Sequence, residues 1–202
     1  MPDIRHFDEA AAIERAELLF WRDGVRAVGV AQLSSATGLS RSSLYNAFGD
    51  KHGLYIAAVD RYLTKRAIPS FARLENAPDG LAGIQRFFDE LIAARCGGPY
   101  RGWGCLIVNG SAELADSDRE AGIRFNRHAD ALRNAFTAAL TRARSVGAIR
   151  PDTVVQSQSE LLTLLAYGLT VRSRAGEQGQ RLHDAVSAAL DPMTTPQSGR
   201  DR

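Results

Sequence analysis

SSATGLSRSSLYNAF, residues 34–48, sets a glycine between two short segments whose apolar residues recur at helical spacing. Gly38 falls where a tight turn needs positive φ, which a residue without Cβ adopts at little cost. Two positions on, Ser40 stands where a hydroxyl accepts an amide from the first turn of a following helix. Leu33 and Ala36 before the turn, with Leu39, Leu44 and Phe48 after it, pin two helices at a steep angle. That arrangement is a helix-turn-helix. Its second helix turns outward Arg41, Ser42, Ser43, Tyr45 and Asn46, which can donate to phosphates and reach base edges in a major groove. Lys51 opens the next helix, so its ammonium and that helix's first amides are placed to grip one phosphate. The expected contacts to double-stranded DNA are Ser40, Arg41, Ser42, Ser43, Tyr45, Asn46 and Lys51, with Gln32 on the preceding helix as a further candidate.

Outward from this stretch almost everything reads as helix, because Ala and Leu abound and β-branched alternation is absent. Before it, a helix spans Phe7 to Asp23 and Gly24 ends it; the motif helices are Ala31–Thr37 and Arg41–Ala47. The helix from Lys51 should bend or stop before Pro69. APDG at 77–80 is a turn, with Asp79 as cap for a helix reaching Arg95, and Cys96 to Gly102 reads as loop. Further helices are expected at Trp103–Ala115, Asp118–Val146, Asp152–Arg174 and Gln178–Leu190. The expected fold is all-α with about nine helices. A three-helix helix-turn-helix domain (1–54) precedes a helical bundle (55–191) for ligand binding and dimerisation, and a polar tail (192–202) should be mobile.

Composition narrows the function. Hydrophobic residues make up 45%, enough for a real core, and the formal net charge is only +2. The distribution says more: from Val25 to Arg66 there are six basic residues, Arg26, Arg41, Lys51, Arg61, Lys65 and Arg66, against two acids, Asp50 and Asp60. A local patch counts for more than the total in phosphate binding. No apolar run approaches membrane-spanning length, and the N-terminal residues lack the apolar core of a secretory signal, so no membrane partner and a cytoplasmic location are expected. The two cysteines, Cys96 and Cys105, form no CxxC pair and lie beside no histidine cluster, so neither a metal site nor a cofactor is expected.

LFWRDG at 19–24, ATGLS at 36–40, SSLYNAFGDK at 42–51 and Leu54 together resemble the DNA-binding domain of TetR/AcrR-family regulators. Gly24, Ala36, Gly38, Leu44, Tyr45, Phe48 and Lys51 supply the family pattern. The resemblance implies that Tyr45 and Lys51 hold phosphates while Arg41, Ser42, Ser43 and Asn46 lie against bases or nearby phosphates. There are four departures from the pattern. Val28–Gly29 stands where a Ser/Thr cap is usual, Ala47 replaces a common histidine, Ser42 a common glycine, and His52 a common glutamate.

The resemblance also implies that the C-terminal bundle binds an effector and forms a homodimer. RGWGCLIVNGSAEL at 101–114 is similar to a helix start found in one branch of the family, some members of which respond to electrophiles through a cysteine. Candidate effector-binding residues are Phe88, Trp103, Cys105, Asn109, Phe125 and Tyr167, with Phe87 and Phe136 as further apolar walls. Asn109 and His128 are candidate polar anchors, although His128 reads more readily as a surface or capping histidine. Cys105 at a helix start is a candidate low-pKa thiol, with Cys96 as resolving partner, although a free cysteine commonly packs as a small hydrophobe. The last two helices carry more apolar surface than one neighbour requires. Leu161, Leu165, Gly168, Leu182, Val186 and Leu190 are the expected dimer face, pairing two helices from each copy.

The reading is therefore a homodimeric regulator, released from a palindromic operator when an unknown small molecule shifts the fourth helix; a thiol-sensing repressor using Cys105 is the alternative. An enzyme is disfavoured, since neither GxxxxGK[ST] nor GxGxxG occurs and no third group would orient a Cys105–His128 pair. A protein-binding helical adaptor would lack salt-dependent duplex binding.

Overall fold

The computed structural model describes residues 7–114 and 117–195, and among them every regular element except one isolated bridge is helical. The helices are α1 (Glu9–Asp23), α2 (Val30–Thr37), α3 (Arg41–Phe48), α4 (Lys51–Tyr62), α5 (Ile68–Glu75), α6 (Leu81–Cys96), α7 (Leu106–Leu114), α8 (Arg119–Ser145), α9 (Val155–Arg174) and α10 (Gly179–Leu190). Of the expected bend or stop before Pro69, the chain shows no stop: α4 passes into α5 through a π-helical turn, Leu63–Ala67. The wider turn takes up the missing proline N–H, and Pro69 lies in the first turn of α5, where it is tolerated.

The chain divides into two compact units. The first comprises Met1–Arg66 with Cys105–Phe125; the second comprises Ala67–Gly104 with Asn126–Arg202. The spatial grouping thus differs from a simple division at residue 54, because α4 and the distant segment 105–125 join the helix-turn-helix. Inside the first unit, Phe20 meets Tyr55 edge-on at 5.2 Å and Trp21 meets Tyr62 at 5.1 Å. Leu33, Leu44, Leu54, Val59, Leu106 and Ile107 complete its core. Glu17 on α1 is fully buried, with its carboxylate between Arg61 (2.6 Å) and Arg66 (2.6 Å). Arg61 and Arg66 are therefore engaged with an acid and do not belong to the basic patch counted from sequence. Burying the Glu17 charge is tolerated only because it is paired twice, by arginines that keep some contact with water.

In the second unit a run of aromatic contacts links Phe88, Phe87, Phe71 and His128 to Tyr167, with Phe136 stacked on Phe88 at 5.6 Å. His128 is buried, its Nδ1 at 2.8 Å from the Tyr167 hydroxyl, which corrects its reading as a surface histidine. Its place on the inner side of α8 was hidden by the charged residues around it. Buried Ser159, Thr163, Thr170 and Ser173 on α9 satisfy their hydroxyls on backbone carbonyls of the preceding turn.

Two expectations about the C-terminal end need correction. Leu182, Val186 and Leu190 are buried within their own chain, where α10 packs on α6 and α9, so they do not form an exposed dimer face. The exposed apolar residues lie on α9: Leu161 (49% exposed), Leu164 (59%) and Val171 (52%), with Leu165 half-buried and Gly168 open. The tail does not loosen at Pro192. Met193 is buried, its carbonyl accepts from the Arg150 N–H at 2.8 Å, and the Thr195 hydroxyl donates to the Gly147 carbonyl at 2.9 Å. The rest of the expected tail, 196–202, lies outside the described residues, as does Ala115.

Candidate nucleic-acid interface

α2 ends at Gly38 in the left-handed region (φ 74°, ψ 11°), and the Gly38 N–H closes the helix on the Ser34 carbonyl at 3.0 Å. The Thr37 carbonyl accepts from the Arg15 guanidinium at 3.3 Å, which ties α1 to this turn. Ser40 then caps α3, its Oγ accepting the Ser43 N–H at 3.1 Å and lying 2.9 Å from the hydroxyls of both Ser42 and Ser43. Ser40 is thus engaged in building the helix start.

Leu44 is turned into the core and Phe48 is half-buried, edge-on to Phe7 at 6.5 Å. With those two inward, Arg41, Ser42 and Asn46 are exposed on the opposite side, and Ser43 and Tyr45 are half-exposed at its flanks. The Arg41 guanidinium donates to the Tyr45 hydroxyl at 3.3 Å and lies 5.4 Å from that ring's centre. The pair is of cation–π type and gathers several hydrogen-bond donors on one side of the helix. Ala47 is exposed beside it and adds no donor.

α4 is capped by Asp50, whose Oδ1 accepts the Gly53 N–H at 2.8 Å, and Lys51 is its first residue. The next residue, His52, reaches Asp118 Oδ2 with Nε2 at 2.7 Å. Burial works against the Asp118 charge, but the Ala121 amide and His52 hold its carboxyl below the usual range. Arg124 grips Asp60 with two nitrogens at 2.8 Å each, a second tie from α8 to α4. At the other end of the motif, where the usual Ser/Thr cap is missing, Gln32 Oε1 accepts the Gly29 N–H at 2.7 Å. Gln32 therefore serves as a cap for α2 through its amide oxygen, while its side chain stays exposed. Glu113 Oε2 accepts the Arg26 N–H at 2.9 Å in the same α1–α2 turn. Sequence reasoning missed Glu113, Asp118 and Arg124, because they lie 87, 66 and 64 residues from their partners and carry no local signature.

The six candidate effector residues do not fall in one unit. Phe88, Trp103 and Tyr167 belong to the second, where Phe88 and Tyr167 share the aromatic run while Trp103 pairs with Tyr100 at 5.1 Å. Cys105, Asn109 and Phe125 belong to the first. Trp103 and Cys105 precede α7, and the Cys105 carbonyl takes that helix's first bond from the Asn109 N–H at 2.8 Å. The Cys105 thiol is buried and Sγ accepts from the Tyr62 hydroxyl at 3.4 Å. Burial pushes the Cys96 thiol above its usual range, although Arg101 pulls the other way, which is the opposite of activation. Among the described residues no group of three or more potential metal ligands gathers, and no helix is long and apolar enough to cross a membrane.

Comparison with known proteins agrees with this geometry. Residues 12–58 match the model of bacterial regulatory proteins of the tetR family, and residues 80–189 match the tetracyclin repressor-like C-terminal domain. The chain is 29% identical over 190 residues to the HTH-type transcriptional regulator YezE of Bacillus subtilis, covering 94% of this chain and 97% of that one. It is 29% identical over 185 residues to the HTH-type transcriptional repressor ComR of Escherichia coli, covering 91% and 88% respectively. Among solved structures, a cysteine mutant of the TetR family regulator CifR complexed with 26 bp operator DNA superposes with TM-score 0.80 at 25% identity, covering 94% of this chain and 98% of that one.

Proposed function

The chain belongs to the tetR family of bacterial regulatory proteins and is a DNA-binding transcriptional regulator, and we propose that it is a homodimeric repressor released from a palindromic operator by a small-molecule effector. The observation that carries the DNA-reading part is the outward row of α3. Arg41, Ser42 and Asn46 are exposed, the Arg41–Tyr45 pair flanks them, and Leu44 fixes the helix from behind. Arg41, Ser42, Ser43 and Asn46 face bases and adjoining phosphates. Tyr45 and Lys51 grip the backbone. The repressor sense is supported by relatives named as repressors. A protein that reads the genome works in the cytoplasm, where we place it.

One copy presents one recognition helix, and a palindrome needs two about one DNA turn apart. The α9 stripe of Leu161, Leu164, Gly168 and Val171 is the surface we assign to pairing, with Gly168 letting the two helices approach. For the effector, buried His128 with its half-buried partner Tyr167, among Phe71, Phe87, Phe88 and Phe136, offers one polar anchor in an aromatic setting, which suits a small, largely apolar molecule.

The test is a titration of the purified protein with duplexes selected from random DNA, at several salt concentrations. Tyr45→Ala and Lys51→Ala should each weaken binding at least about tenfold while the dimer persists, and Lys51→Ala should flatten the log–log salt slope by about one. Wild-type affinity in both variants would show that α3 and the start of α4 do not read DNA.

A further inference from the structure

The segment 105–125 belongs with the reading head, and it carries the acid that the α1–α2 turn lacks. We propose that Glu113 on α7 is a positioning residue for operator binding: its carboxylate holds the α1–α2 turn, and through it the start of α2, in the register DNA requires. The inference rests on α2 and α3 being the DNA-reading pair.

The turn from Gly24 to Gly29 has no Ser or Thr to cap α2, and its Arg26 N–H belongs to no helix. Glu113 Oε2 accepts that N–H at 2.9 Å. The fit is close: Gly24 has φ 90°, and a Cβ there would fall 2.5 Å from Glu113 Oε1. Position 24 is thus held to glycine by its backbone, and a Cβ there would also push the Glu113 carboxylate from its place. A charged acceptor on a backbone amide is among the stronger hydrogen bonds, and leaving that amide unmet lets the turn relax. From the same segment, Asp118 holds His52 at the start of α4 beside Lys51, and Arg124 holds Asp60 near that helix's other end. A shift of α7 along its axis would therefore move the α1–α2 turn directly, a route to the DNA-reading helices that does not run through α4.

The sign of the effect separates this role from simple charge. Removing an acid from a protein that binds a polyanion should tighten binding if only the field matters. Loss of positioning should weaken it. In full-length protein, titrated with a duplex selected by the wild type, we expect Glu113→Ala to bind about tenfold more weakly with an unchanged salt slope. Glu113→Gln keeps an acceptor oxygen and should return affinity to within about twofold of wild type. Amide exchange at Arg26, read by NMR, should accelerate in Glu113→Ala and not in Glu113→Gln. Equal or tighter binding by Glu113→Ala, or no recovery in Glu113→Gln, overturns the positioning role alone. A wild-type protein that selects no duplex overturns the DNA-reading assignment and this proposal with it.

Discussion

α3 and α9 are both half-buried helices, yet what they leave in water is opposite in kind. α3 turns out Arg41, Ser42 and Asn46, while α9 turns out Leu161, Leu164 and Val171. A polar face is at ease in water until a charged groove offers something better. An apolar stripe at i, i+3, i+7 and i+10 costs solubility for as long as it stays uncovered. The two helices thus point to two different partners: α3 to a polyanion met reversibly, α9 to a matching apolar surface met for as long as the protein is folded.

The largest effect should come from breaking the α9 side. The Leu161→Glu/Leu164→Glu double variant places two acids on each copy's stripe, opposite their own equivalents. Leu161 and Leu164 are already about half covered by their own chain, so covering the rest of each contributes about 1 kcal/mol, and about 4 kcal/mol per dimer is lost before repulsion is added. Analytical ultracentrifugation should then find monomer, with operator binding lost and helical content kept. A double variant that still sediments as a dimer would move pairing to another face.

The comparison also shows what a sequence can carry. The α3 motif was legible because its signals are local: Gly38 for the turn, Ser40 for the cap, and Leu44 setting which side faces in. Helical periodicity showed the apolar residues of α10 but could not say whether Leu182, Val186 and Leu190 meet their own chain or a copy, and they meet their own. Charge counting failed for the same reason. Arg61 and Arg66 look like patch residues in a row of letters, yet each meets Glu17, 44 and 49 residues away. The long-range acids Glu113 and Asp118 lay beyond any local pattern, so the bracing of the reading head had to come from the structure.

That buried acid gives a prediction of middle size. Glu17→Gln keeps shape but removes the charge that Arg61 and Arg66 share. Both arginines are partly exposed, 21% and 27%, so water can take up some of what the carboxylate gave. The cost should be about 2 kcal/mol, below that of a fully buried pair. In a chain of this size that lowers the thermal midpoint by about 4–8 °C. Operator affinity at a temperature where both proteins are folded should barely change, since neither arginine faces the groove. A large loss of affinity with an unchanged midpoint would return Arg61 and Arg66 to the phosphate-binding set.

The smallest effect sharpens the α3 side itself, at a residue that sequence reading placed against DNA. Ser40 spends its hydroxyl on the Ser43 amide and on the neighbouring Ser42 and Ser43 hydroxyls. If it is a cap, Ser40→Ala removes about 1 kcal/mol from the first turn of α3. The recognition helix then frays in the free protein and must be re-formed on DNA, which lowers operator affinity about fivefold. Aspartate at the same position is a good cap but brings a negative charge towards phosphates. Ser40→Asp should therefore keep the thermal midpoint of wild type and bind worse than Ser40→Ala, most of all at low salt. Were Ser40→Ala to change which duplex the protein selects, and not merely how tightly it holds it, the hydroxyl would be reading a base after all.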